Sequence, residues 1–116
     1  MTRKKGGGFR PIQVREDEPA ARWLAGIDAR TKEGRLLRKS HDHVLDLVSM
    51  DFLHGETVPV PRDPRFEGVM NLRCEDLAGS HRLLYTNVRV EEGTIVLVID
   101  VTTHREYDRL FGIRKK

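Results

Sequence analysis

Residues 81 to 101 leave a chain of this size few ways to fold. His81 to Val90 is rich in strand formers, Glu91-Glu92-Gly93-Thr94 is a tight turn, and Ile95 to Val101 is a nearly unbroken β-branched run. Such a run reads as the buried central strand of a sheet, and the short turn makes its pairing with His81 to Val90 an antiparallel hairpin. Everything else in the chain has to cover or extend that hairpin.

Upstream, Val69 to Glu75 alternates, with Met70, Leu72 and Cys74 on one face and Asn71, Arg73 and Glu75 on the other, which predicts a third strand. Asp76 to Ser80 is its turn, with Gly79 available for positive φ. Three prolines between Glu56 and Arg65 make that stretch a connection and not a central strand. Two helices precede it. The first starts near Asp17, with Pro19 in its first turn and Ala20, Trp23, Leu24 and Ile27 at helical spacing, Trp23 serving as a core anchor. The second runs from Lys32 to Leu53 and gathers Leu37, Val44, Leu45, Val48 and Phe52 on one stripe. Gly34 costs about 1 kcal/mol inside a helix and blurs its start, while His54-Gly55 ends it. Phe9 to Val14 alternates behind Pro11 and suits a short edge strand. The expected fold is therefore α+β, with two N-terminal helices packed on a small, largely antiparallel four-stranded sheet. Residues 1 to 8 read as a flexible basic arm and residues 9 to 116 as a single domain.

Charge is unevenly spread. Residues 1 to 10 carry four bases and no acid, residues 105 to 116 carry five bases and two acids, and the remainder carries 12 bases and 16 acids. Basic ends of this kind bind polyanions, because neutralising phosphates supplies sequence-independent affinity. The longest apolar stretch falls far short of the roughly 18 residues of a membrane span, and the basic N-terminus lacks the apolar segment of a secretory signal, so a cytoplasmic protein without membrane contact is expected. Cys74 is the only cysteine, cannot form an internal disulfide, and fits a small core residue. His41-Asp42-His43 with Asp46 resembles a metal-ligand spacing, but residues two apart on a helix diverge by about 200°, so no metal is expected there. His54 fits a helix C-terminus, where a cationic ring is favoured. Gly6-Gly7-Gly8 lacks the remainder of a phosphate-binding loop, and no cofactor is implied.

Two polar clusters interrupt the strands: His81-Arg82, and the run from Thr102 to Asp108 after the central strand. In the hairpin the start of one strand lies beside the end of the other, so His81 and Arg82 approach His104 to Tyr107, with Arg73 joining from the preceding strand. Histidine transfers protons near neutral pH, arginine binds phosphate bidentately, and tyrosine stacks on a base or orients an oxygen. Together they could cleave RNA without a metal, which needs a base for the 2′-OH, a cation for the developing charge and an acid for the leaving oxygen. The plainer alternative is a set of ordinary strand-end polar residues facing water.

The segments His81-Arg82-Leu83-Leu84-Tyr85 and Thr103-His104-Arg105-Glu106-Tyr107-Asp108 resemble the RelE/ParE superfamily of bacterial toxins, the second being similar to the ending of HigB-type members. The resemblance is good over residues 66 to 111 and is carried by element order alone over residues 9 to 55. It implies an endoribonuclease of a type II toxin–antitoxin system that cleaves mRNA at the ribosome by 2′-OH attack, with a cognate antitoxin occluding its site. It further implies Arg82 on the scissile phosphate, Arg73 as a second phosphate ligand, His104 as acid or base, and Tyr107 as an orienting or stacking group. Some relatives use a carboxylate base in the connection before the third strand, where Asp63 or Glu67 could serve. His81, Arg105, Arg109, Arg114, Lys115 and Lys116 are the candidate RNA contacts. ParE members share the fold and inhibit DNA gyrase, so a non-enzymatic gyrase inhibitor or partner-binding module is the alternative function.

Overall fold

In the computed structural model, which describes residues 11–112, the hairpin forms as β4 (His81–Val90) and β5 (Gly93–Thr103). The other elements are β1 (Val14–Glu16), α1 (Glu18–Ala25), α2 (Lys32–Met50), β2 (Glu56–Thr57), a 3-10 turn (Pro64–Phe66), β3 (Arg73–Leu77) and α3 (His104–Leu110). The sheet has five strands in the order β1-β5-β4-β3-β2, one more than expected. The addition is β2, two residues of the proline-rich connection that pair antiparallel with Arg73 and Cys74. Only β1 runs parallel to its neighbour, and it lies at the edge; it shares only Val14 with the expected strand Phe9 to Val14, of which residues 11 to 13 are not in a strand and residues 9 and 10 lie outside the described residues. A parallel pair needs a long crossover, and α1 and α2 begin the return to β5.

Local chemistry starts each helix. Asp17 caps α1 by accepting a hydrogen bond from the Glu18 N–H. Thr31 caps α2 by accepting from the Gly34 N–H at 2.9 Å. A Cβ on Gly34 would come within 2.0 Å of the Asp28 carbonyl oxygen, so the glycine that looked like a helix defect is what lets the loop close onto α2. The helix ends at Met50, three residues before the predicted Leu53, and His54 falls in the loop beyond it. Gly79 takes φ +65° in the β3–β4 turn.

The sheet has a core on each face. On the helix side, Ala20, Val44, Val48, Leu77, Leu83, Tyr85, Val96, Val98 and Val101 are buried together, with Trp23 and Leu37 packed against them. On the opposite side, Phe66, Leu72, Cys74, Leu84, Ile99 and Tyr107 form a smaller core. Met70, read as an inward-facing strand residue, is 79% exposed, because β3 starts only at Arg73.

The hairpin contains a bulge. Leu84 pairs with Asp100 and Tyr85 with Val98, leaving Ile99 unpaired. A bulge sets two residues against one and resets the alternation. Val98 and Val101 therefore both face the helices, while Ile99 and Asp100 both serve the opposite face.

Candidate active site

Arg82 faces Thr102 across the hairpin and Asp76 across the β3–β4 pair. Its guanidinium carbon lies 4.4 Å from the centre of the Tyr107 ring, within the range of a cation–π contact. Asp76 Oδ1 is 3.4 Å from Arg82 Nε, but that nitrogen is buried and has no aligned acceptor. Burial works against the Arg82 cation, and Cys74, Asp76 and Tyr107 outweigh it and hold the group protonated. Burial also pushes the Cys74 thiol and the Tyr107 phenol up, with Arg82 opposing both shifts. The buried Nε–H is out of a ligand's reach, but the guanidinium is a fixed cation whose side chain is 27% exposed, and its outer N–H groups suit an incoming oxyanion.

Tyr107 is held by α3, which opens with a full capping box: Thr103 Oγ1 accepts from the Glu106 N–H, and Glu106 Oε1 accepts from the Thr103 N–H. The Tyr107 ring is 5% exposed and covered by Arg82 on one side and Phe111 on another, with the two aromatic centroids 4.4 Å apart. It fixes Arg82 and offers no free face to a base. His104 is the first residue of α3; its N–H donates to the Ser80 carbonyl, which puts it at the same end of the sheet as Arg82. Its half-exposed ring makes no hydrogen bond or ion pair among the described residues.

Two sequence candidates lie on the other face. Arg73 Nη1 donates to the carbonyls of Leu53 and Gly55, at 3.2 and 2.8 Å, and so pins the loop after α2. His81 packs its ring 5.8 Å from Trp23, with Nδ1 3.3 Å from the Ala78 carbonyl. Neither joins Arg82. Asp63 caps the 3-10 turn and pairs with Arg65, whose guanidinium holds the carboxyl below the usual carboxylate range. Glu67 is exposed at the end of that turn. Arg105 and Arg109 are exposed on α3, while Arg114, Lys115 and Lys116 lie outside the described residues, as does the basic arm.

Of the His41-Asp42-His43 group, His41 is buried with Nε2 2.8 Å from Glu16 Oε2 and Nδ1 2.9 Å from Asp42 Oδ1, whereas His43 is exposed. The two rings point apart. Among the described residues, no three His, Cys, Asp or Glu side chains are grouped to hold a metal ion.

Sequence reasoning did not place Cys74, Asp76 and Asp100 at this face, and gave Thr102, the first residue of the polar run after the central strand, no role. Asp100 carried the one available signal, a carboxylate inside an apolar run, which must find a partner when buried. Its partner is Arg65, which bridges Asp100 and Asp63 and whose pKa rises through both, Asp63 contributing most.

No family model and no curated protein matches the sequence. Among solved structures, the free-state structure of an arginine-to-alanine double mutant of the E. coli toxin RelE superposes with a TM-score of 0.53 and 17% identity, covering 88% of this chain and 92% of that one. The chain therefore has the RelE fold. Among the described residues, no helix is long and apolar enough to cross a membrane.

Proposed function

We propose that this chain is a toxin-type endoribonuclease that cleaves mRNA at the ribosome and is held in check by an antitoxin protein. The observation that carries the reading is Arg82, a partly exposed guanidinium braced on Tyr107, with His104 at the same end of the sheet. The RelE fold supports it, since the superposed structure is that of a toxin.

In the reaction the ribose 2′-oxygen attacks the adjacent phosphorus and the P–O5′ bond breaks. The products are a 2′,3′-cyclic phosphate and a 5′-hydroxyl. The 2′-OH proton goes to a base and the leaving O5′ takes one from an acid. Arg82 binds the non-bridging oxygens and stabilises the charge that develops on them. His104 supplies one proton transfer, since its ring has no competing partner. Asp76, beside Arg82, supplies the second in place of Asp63, which is committed to Arg65. Tyr107 acts through Arg82 as a positioning residue, and Arg73 has no part in the chemistry.

Primer extension on a reporter mRNA after induction tests this. Wild type produces discrete cuts and growth arrest; Arg82→Ala and His104→Ala lower cleavage by about 100- to 1,000-fold while remaining folded. Uncut mRNA with the wild-type protein would sink the enzymatic reading. A non-enzymatic binding protein of the same fold is favoured by two observations, the closure of Tyr107 and the turning away of Arg73, which leave fewer groups for catalysis. Gyrase inhibition in a supercoiling assay, with mRNA intact, would select it.

A further inference from the structure

Beside Arg82, across one strand spacing of about 4.8 Å, Thr102 forms part of the floor of a polar cleft of about 360 Å³ between the 3-10 turn and α3. Three arginines line it, Arg62, Arg65 and Arg109, together with Asp63 and Glu106. The acids are spoken for: Asp63 pairs with Arg65 and caps the turn, Glu106 closes the α3 capping box, and Asp100 beneath takes the other side of Arg65. The cations are not all so engaged. Arg62 and Arg109 are exposed and form no ion pair or side-chain hydrogen bond among the described residues. Thr102 is 3% exposed, and its hydroxyl has no partner.

We propose that this cleft is a second phosphate subsite, in which Arg62 and Arg109 hold the phosphodiester next to the one at Arg82 on the same RNA strand. The inference rests on the nucleolytic reading above and extends it to strand positioning. The donors left over are guanidinium N–H groups, which match phosphate oxygens in charge and geometry. Thr102 ties the two subsites together, because it stands on the floor of the cleft and is the cross-strand neighbour of Arg82. A strand gripped at two successive phosphates is fixed in register, which is what an in-line attack by the 2′-OH needs.

The probe is a non-cleavable RNA dinucleotide with a 2′-deoxy sugar at the attacking position, used bare or with an added 5′- or 3′-terminal phosphate. Wild type should bind one of the phosphorylated forms at least about tenfold more tightly than the bare form. Arg62→Gln/Arg109→Gln should lose that gain and reduce the log–log salt slope by about 0.7, the value for one single-strand phosphate contact. Arg82→Gln should weaken all three probes but keep the gain. If the wild type binds the dinucleotides and the terminal phosphate adds nothing, the subsite is overturned and the nucleolytic reading stands. If it binds none of them, the subsite is overturned, and primer extension alone decides the nucleolytic reading. Inorganic phosphate serves as a second probe. Competition below 1 mM, undiminished in Arg82→Gln, would assign the cleft to free phosphate and overturn the strand-positioning role. Displacement of the RNA by poly-glutamate of equal charge would overturn it in favour of an acidic protein segment.

Discussion

The two faces of the sheet are built from the same strands and reach different states. The helix face is covered by 27 residues of regular helix, and its polar groups are tied in: Tyr85 Oη accepts from the Gly55 N–H and donates to the Phe52 carbonyl, and His41 lies between two carboxylates. The opposite face is covered by a three-residue 3-10 turn and the seven-residue α3, over a core of only six buried side chains. Two of the three buried, unpartnered side-chain atoms among the described residues, Arg82 Nε and Thr102 Oγ1, belong to it. The third, Arg73 Nε, is part of a guanidinium already engaged through Nη1. Helical cover and satisfied polar groups are concentrated on one face, and most of the unpartnered buried polar atoms on the other.

The sharpest way to break this comparison uses two neighbours on β4. Leu83 and Leu84 are both fully buried but face the helix core and the smaller core respectively. Truncating a buried leucine costs about 2–5 kcal/mol, with the value set by how far the surroundings can settle into the cavity. Leu83→Ala, flanked by two helices, should fall near the top of that range. Leu84→Ala should fall near the bottom, because a short turn and a short helix can close over it. Urea unfolding measures both; equal losses would mean the second face is as rigid as the first.

Next in size is the ion pair beneath the cleft. Arg65→Ala leaves Asp100 as a nearly buried carboxylate without its cation, while Asp63 loses the group that lowers its pKa. Arg65 is more than a third exposed, so solvent screens part of the effect, and about 1–2 kcal/mol of destabilisation is expected. Arg65→Ala/Asp100→Leu should recover most of it, and failure to do so would show that Arg65 acts through packing and not charge. A smaller loss, about 1 kcal/mol, is expected for Tyr85→Phe, which removes the hydroxyl bridging Gly55 and Phe52 on the helix face. Burial pushes that phenol up to about 12, so the bridge should persist to alkaline pH, as ultraviolet titration would show.

The contrast between the faces was only half legible in the sequence. The hairpin was, because turn residues and a β-branched run specify it locally: His81–Val90 is a strand as read, and Val90 pairs with Gly93. The alternation of Arg73 and Cys74 across β3 was also legible, but not which face each would serve. Alternation gives two sides and does not say where helices dock. On the helix side Arg73 and Glu75 sit near the sheet margin, where they reach loop carbonyls and His54, whereas Cys74 enters the small core. The bulge at Ile99 was hidden, since every residue from Ile95 to Ile99 is apolar and no change of phase can be seen in a uniform run. The start of α3 was present as Thr103-x-x-Glu106, a capping-box spacing that reads equally well as a polar strand end until the helix is seen.

The smallest effect belongs to the margin of the helix face. His54 Nδ1 lies 2.6 Å from Glu75 Oε2, and that hydrogen bond, with the Glu75 and Asp51 charges, raises the imidazole pKa above its ordinary value of 6.5. A group whose pKa is higher folded than unfolded stabilises the fold fully below the unfolded value and loses that contribution as pH rises through the folded one. The urea midpoint should therefore drift down from pH 6 to pH 8 by a small amount, small because the ring is nearly half exposed. Glu75→Gln should flatten the drift while leaving the RNA cleavage proposed for the Arg82 face untouched, since Glu75 and Arg82 stand on opposite faces of the sheet. If the same substitution also lowered cleavage, the two faces would be energetically coupled, and the division of labour between them would need an explanation that travels through the Arg73–Glu75 edge.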